Sequence, residues 1–193
     1  MSQLTDETAR TVQEGKDFAR NIETLSGQAW CVGDGVSTDL IAPGRYFDLR
    51  SDLDALAEHT LEDADLETTD ARFMEVMTPG DFVVGGRNFG QGSSREHAPA
   101  IIERVGVSAV IAESVARIFY RNAVNVGLPI LTCDTSRINE SDDLHVDLLD
   151  GVLVNRTTDD ELAIDSPPPV MMQLLRDGGL KAHVQTHGAL ELD

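Results

Sequence analysis

Residues 81–132 read DFVVGGRNFG QGSSREHAPA IIERVGVSAV IAESVARIFY RNAVNVGLPI LT, and this stretch decides the fold. Three short apolar runs, Asp81 to Val84, Ser108 to Ala112 and Leu128 to Thr132, have the length and residue types of strands. Between them lie two longer segments, Arg95 to Val105 and Val115 to Val126, whose apolar residues recur at helical spacing. Strand, helix and strand in succession predict βαβ units, hence an α/β domain with a partly parallel sheet.

Upstream, Ala29 to Val32 reads as a strand that runs into the turn residues Gly33-Asp34-Gly35 and Ser37-Thr38-Asp39. Pro43-Gly44 marks another turn, and Ser51 to His59 reads as a helix capped by Ser51. The acidic stretch Leu61 to Asp70 reads as a mobile segment. Downstream, Leu144 to Leu149, Val152 to Val154 and Leu162 to Ile164 read as short strands, with Asp150-Gly151 as a hairpin turn. Pro167 to Pro169 then opens a last helix that ends at Gly178-Gly179. Met1 to Ser26 is polar, with a weak apolar stripe. The expected organisation is therefore a polar arm over 1–27, one ordered domain over 28–181 and a tail over 182–193.

Composition narrows the function classes. A chain of 193 residues with 41% apolar content can bury one core, and no apolar run is long enough to span a bilayer. The net charge of −19 repels nucleic acid and anionic membranes, so neither is an expected partner. Acidic residues lie in scattered pairs such as Asp142-Asp143 and Asp159-Asp160, and the only lysines are Lys16 and Lys181. Many carboxylates with few lysines suit a cytoplasm of high salt, where screening shortens self-repulsion, so a halophilic source and a cytoplasmic location are expected. Cys31 and Cys133 stand alone in apolar segments and read as structural thiols. Two cysteines are too few for an iron–sulfur cluster, which several thiolates hold, so any cluster must come from a partner. His59, His145, His183 and His187 are read as lacking metal spacing, and no metal ligand is assigned.

The least ordinary residues follow the strand at Asp81 to Val84: Gly85 through Ala98 place four glycines, two serines and two arginines between a strand and a helix. Glycines permit a tight turn and leave the amides of Gly92, Ser93 and Ser94 facing outward at a helix start, a nest that favours anions. Arg95 adds a planar fork suited to a carboxylate. The alternative is a glycine-rich loop with a serine N-cap and no ligand.

The full string Asn88-Phe89-Gly90-Gln91-Gly92-Ser93-Ser94-Arg95-Glu96-His97-Ala98 resembles the signature of the aconitase swivelling domain, found in the small subunits of isopropylmalate isomerase and homoaconitase. Gly33 through Tyr46 is similar to that family's first motif and Ala116 through Pro129 to its third, and the resemblance extends in order over roughly 28–181. It implies a swivelling β/β/α domain of a hydro-lyase that dehydrates a hydroxy di- or tricarboxylic acid and rehydrates the neighbouring carbon. Ser93 would be the base, stabilised as an alkoxide by the nest amides and Arg95, with Arg95 also binding a substrate carboxylate. Gly92 and Ser94 would shape the substrate loop, with Ser94 capping the helix. Asp39 matches an active-site aspartate of the family, or is a plain turn residue. His97 reads as structural.

The resemblance also implies that this chain binds no cofactor and acts with a large subunit carrying a [4Fe–4S] cluster as Lewis acid for the leaving hydroxyl. Substrate choice would lie in Tyr46 to Ser51. An inward Arg50 would bind the extra carboxylate of a larger acid, whereas an outward Arg50 would leave Phe47 and Leu49 to line an apolar pocket. The expected function is the isopropylmalate isomerase small subunit of leucine biosynthesis. The alternatives are a homoaconitase or broad-specificity malate-homologue hydro-lyase subunit, and a stand-alone carboxylate-binding module.

Overall fold

The computed structural model describes residues 22–165 and 167–188. Seven strands form one sheet in the order β4-β3-β2-β1-β5-β6-β7. β1 (Thr24–Cys31), β2 (Phe82–Gly85), β3 (Ala109–Ala112) and β4 (Ile130–Thr132) are parallel, and β5 (Asp143–Asp147), β6 (Val152–Asn155) and β7 (Asp160–Ala163) continue antiparallel from the other edge of β1. β1 joins the two halves because it is long enough to divide its pairing. Its residues Thr24 to Gln28 pair with β5, and Ala29 to Cys31 pair with β2.

The crossovers are α4 (His97–Arg104), between β2 and β3, and α5 (Arg117–Val126), between β3 and β4. Before β2 come α1 (Thr38–Ile41), a 3-10 turn over Gly44–Ser51, α2 (Leu53–Ala57) and α3 (Phe73–Val76). The parallel strands are buried on both faces, which explains their unbroken apolar runs. Val83, Val110 and Ala112 face a core with Ile101, Ile102 and Phe119 of the crossover helices. Phe82, Val84, Ala109 and Ile111 face a second core with Leu144, Leu153 and Leu162, so the antiparallel wing curls over the parallel half. Burying one such aromatic side chain fully contributes about 1.5–3 kcal/mol.

Several boundaries differ from the sequence reading. β1 starts at Thr24 and Ile22 is buried in the second core, so ordered structure reaches back beyond residue 28; the rest of the expected arm, 1–21, lies outside the described residues. The expected helix Ser51 to His59 contracts to α2, because Asp52 rather than Ser51 caps it by accepting from the Ala55 amide at 3.1 Å.

The acidic stretch Leu61 to Asp70 is not the mobile segment its charge suggests. Leu61 and Leu66 are buried, and the buried carboxylate of Glu140 accepts from the amides of Glu67 and Thr68 at 2.8 Å each. At the C-terminus α6 (Pro169–Arg176) is followed by α7 (Leu180–His187), so the expected tail is helical through 187.

Candidate functional site

Three loops meet at the carboxyl ends of β1, β2 and β3, where open α/β sheets place their ligands. Backbone hydrogen bonds lace them together. The Gly35 amide donates to the Arg87 carbonyl at 2.7 Å, Thr38 to Gln91 at 2.8 Å, Gly90 to Val36 at 2.8 Å and Ala116 to Phe89 at 2.8 Å. Only glycine fits at 90. Its φ is +73°, and an added Cβ would lie 2.2 Å from Cγ of Phe119.

The loop therefore turns tightly over the start of α5 and carries Ser93 to the rim of a cavity of about 330 Å³. Thr38, Gly92, Ser93 and Arg95 line one side of it, and Arg117, Phe119 and Asn122 of α5 the other. The Ser93 carbonyl is fixed by the Thr38 hydroxyl at 2.9 Å and the Arg95 amide at 2.8 Å. Its hydroxyl, and the amides of Gly92, Ser93 and Ser94, have no hydrogen-bond partner among the described residues. All three of these residues are exposed.

The structure brings Asp39 to Arg95. Their side chains form an ion pair, Arg95 Nη1 also donates to the Ala42 carbonyl at 2.8 Å, and Asp39 Oδ1 accepts from the Gly44 amide at 3.1 Å. One end of the Arg95 fork is therefore committed to the first loop, and Nη2 has no hydrogen-bond partner among the described residues. Ser94 does not cap the helix. α4 begins at His97 behind Glu96, which makes no side-chain cap bond, so Ser94 stays in the exposed loop.

Arg50 is not in the Ser93 cavity. It is exposed, donates to the Phe47 carbonyl at 3.2 Å and stacks over the Phe47 ring at 4.5 Å, in a small separate cleft that also touches Arg95 and His97. Leu49 packs against the helix-side core, so of the two apolar residues expected to line a pocket only Phe47 reaches the cleft.

Sequence reasoning assigned Arg117 no role and Asn122 only a structural one, fixing the sheet edge and the loop through hydrogen bonds, although both lie in the third motif. The signal was their place just after a parallel strand, at the sheet end where ligands bind. Burial, followed by the nearby carboxylates of Glu67, Glu140 and Asp142, pushes Cys31 up to about 12, and burial with Asp134 pushes Cys133 up to about 11.

This geometry, a Gly-x-Gly-Ser-Ser-Arg turn over a parallel sheet extended by an antiparallel wing, defines an aconitase-type swivelling domain. The family model of the aconitase C-terminal domain matches residues 54–135. "3-isopropylmalate dehydratase small subunit 2" of Archaeoglobus fulgidus is 53% identical over 168 residues, covering 87% of this chain and 99% of that one. The small subunit 1 of Thermotoga maritima is 47% identical over 166 residues, covering 86% and 97%. The crystal structure of 3-isopropylmalate dehydratase from Methanocaldococcus jannaschii superposes with a TM-score of 0.78 at 36% identity, over 86% of this chain and 95% of that one. The chain belongs to the family of 3-isopropylmalate dehydratase small subunits, and with them to the aconitase-type hydro-lyases.

Proposed function

We propose that the chain is the small subunit of an isopropylmalate isomerase, which dehydrates 2-isopropylmalate and rehydrates it to 3-isopropylmalate in leucine biosynthesis, together with a cluster-bearing large subunit. The observation that carries this reading is that Gly92, Ser93 and Arg95 line one cavity, with the Ser93 hydroxyl and the amides of Gly92, Ser93 and Ser94 unpartnered among the described residues. There a serine alkoxide gains the hydrogen bonds and positive charge it needs to take the proton beside a carboxylate. Arg95 binds that carboxylate through Nη2, Asp39 holds Arg95 in register, and Gly92 and Ser94 supply amides to the oxyanion. In this reading a [4Fe–4S] cluster belongs to the large subunit, since two cysteines are fewer than the several thiolates that hold one.

The Arg50 contact with Phe47 favours isopropylmalate over a tricarboxylic homologue. An exposed guanidinium resting on its own aromatic neighbour gains about 0.5–1 kcal/mol there and is not offered to a third carboxylate. The test is anaerobic co-purification with the large subunit at high salt, followed by assay of isopropylmalate and homoaconitate side by side. Turnover of isopropylmalate that survives Arg50→Ala is expected. A preference for homoaconitate that Arg50→Ala removes would establish the homoaconitase reading, and turnover of neither acid by the joined subunits would leave a carboxylate-binding module.

A high-salt cytoplasm is the setting that the charge supports, and among the described residues no helix is long and apolar enough to cross a membrane. Exposed carboxylates repel over about 10 Å at 0.1 M salt but only about 3 Å at 1 M. The melting temperature should therefore rise steadily with potassium chloride across that range, and a flat profile would contradict the halophilic reading.

A further inference from the structure

The last two helices bring together three side chains that the proposed reaction does not use. Asp177 closes α6, and His183 and His187 stand four residues apart on α7, one turn above the other on the same side. Donor atoms of all three lie within 4.8 Å of one another. Asp177 Oδ2 is 2.5 Å from His183 Nδ1 and 3.4 Å from His187 Nε2, and the two imidazole rings are 4.6 Å apart between centroids. Zinc bound tetrahedrally by imidazole nitrogen and carboxylate oxygen at about 2.0–2.2 Å sets its ligand atoms roughly 3.4 Å apart. The His187 contact already has that spacing, and the His183 contact reaches it when the carboxylate shifts by about 0.9 Å.

His183 is the informative member. Its side chain is fully buried, its Nε2 has no hydrogen-bond partner among the described residues, and the one polar contact that offsets the burial of this imidazole there is Nδ1 with Asp177 Oδ2. A metal–nitrogen bond at Nδ1 would offset it too. Asp177 and His187 are 23% and 40% exposed, which leaves a route for an ion and a coordination position open to water. Two imidazoles and one carboxylate select zinc-like transition metals over magnesium or calcium, which prefer all-oxygen sites.

We propose that Asp177, His183 and His187 form a binding site for a divalent transition metal of the zinc type, which ties the end of α6 to α7. The tie lies at the C-terminal end of α5, the helix whose N-terminal half lines the Ser93 cavity. Gly127, at the end of α5, packs backbone to backbone on Gly178 and Gly179: an added Cβ on Gly127 would lie 2.6 Å from the Gly178 carbonyl carbon, and one on Gly179 2.4 Å from the Asn125 oxygen. A metal at Asp177 thus braces the junction on which α5 rests. The sequence pattern set these histidines aside because it ends the last helix at Gly178-Gly179, and a four-residue spacing has metal-ligand meaning only on a helix.

The test is calorimetric titration of the full chain, without a polyhistidine tag, with zinc chloride in roughly 1 M potassium chloride, which screens the surface carboxylates. One zinc per chain is expected, bound at micromolar concentration or below, with a rise in melting temperature on loading. His187→Ala and Asp177→Asn should each weaken binding at least tenfold and remove that rise. His187→Ala is the decisive variant, because His187 is partly exposed and its loss spares the core, whereas His183→Ala would open a cavity. Cobalt in place of zinc should give a visible absorption that His187→Ala abolishes. Absence of stoichiometric binding, or binding and stabilisation unchanged in His187→Ala, would overturn the site. Neither readout depends on turnover.

Discussion

Replacing Ser93 by alanine is expected to lower the kcat of the joined subunits by roughly 10²–10⁴-fold, the usual contribution of a positioned proton-transfer group, while leaving folding and subunit association intact. The separation is possible because the structural atom of Ser93 is its carbonyl, held by the Thr38 hydroxyl and the Arg95 amide, and its exposed hydroxyl has no partner among the described residues. Alanine keeps the carbonyl and removes only the hydroxyl. Steady-state turnover beside thermal melting and gel filtration reads both halves of the expectation. Activity within tenfold of the parent would remove Ser93 from the role of base.

Gly90→Ala should be among the most destabilising single substitutions in the chain, at about 2–5 kcal/mol. About 1–2 kcal/mol comes from a non-glycine residue in the left-handed region and about 1–3 kcal/mol from forcing a methyl into a packed site. Both causes are present, since φ is +73° and the added carbon would lie 2.2–2.6 Å from three atoms of Phe119, whose ring packs edge-on against Phe89. Phe119 is 1% exposed and cannot swing out without breaking the helix-side core. At about 2–4 °C per kcal/mol for a chain of this size, the melting temperature should fall by roughly 4–20 °C. A fall of less than about 2 °C for the single variant would mean that the loop has room the structure does not show.

The sequence was most legible where short-range pattern and long-range packing agree. β2 and β3 are apolar at every position because helices and the antiparallel wing cover both faces, so their runs could be read without knowing what covers them. Gly90 and Gly92 announced a turn because other residues do not take their positive φ cheaply. Acidic composition misled at 61–70. Charge predicts solvation, but Glu140, more than 70 residues away, supplies the acceptor that orders two of its amides.

By itself, then, the sequence determined the βαβ order, the sheet end at which the site lies and the Ser93 loop, because these follow from residue periodicity, backbone preference and a long matched motif. Only the tertiary structure decided that Asp39 holds Arg95, that Arg50 rests on Phe47 outside the Ser93 cavity, that Arg117 and Asn122 line that cavity, and that Asp177, His183 and His187 meet. Most of these are meetings of side chains brought together by the packing of separate elements, and even Arg50 on Phe47 depends on which way a short turn faces. Side-chain direction is set by what each element packs against, and spacing along the chain does not carry that information.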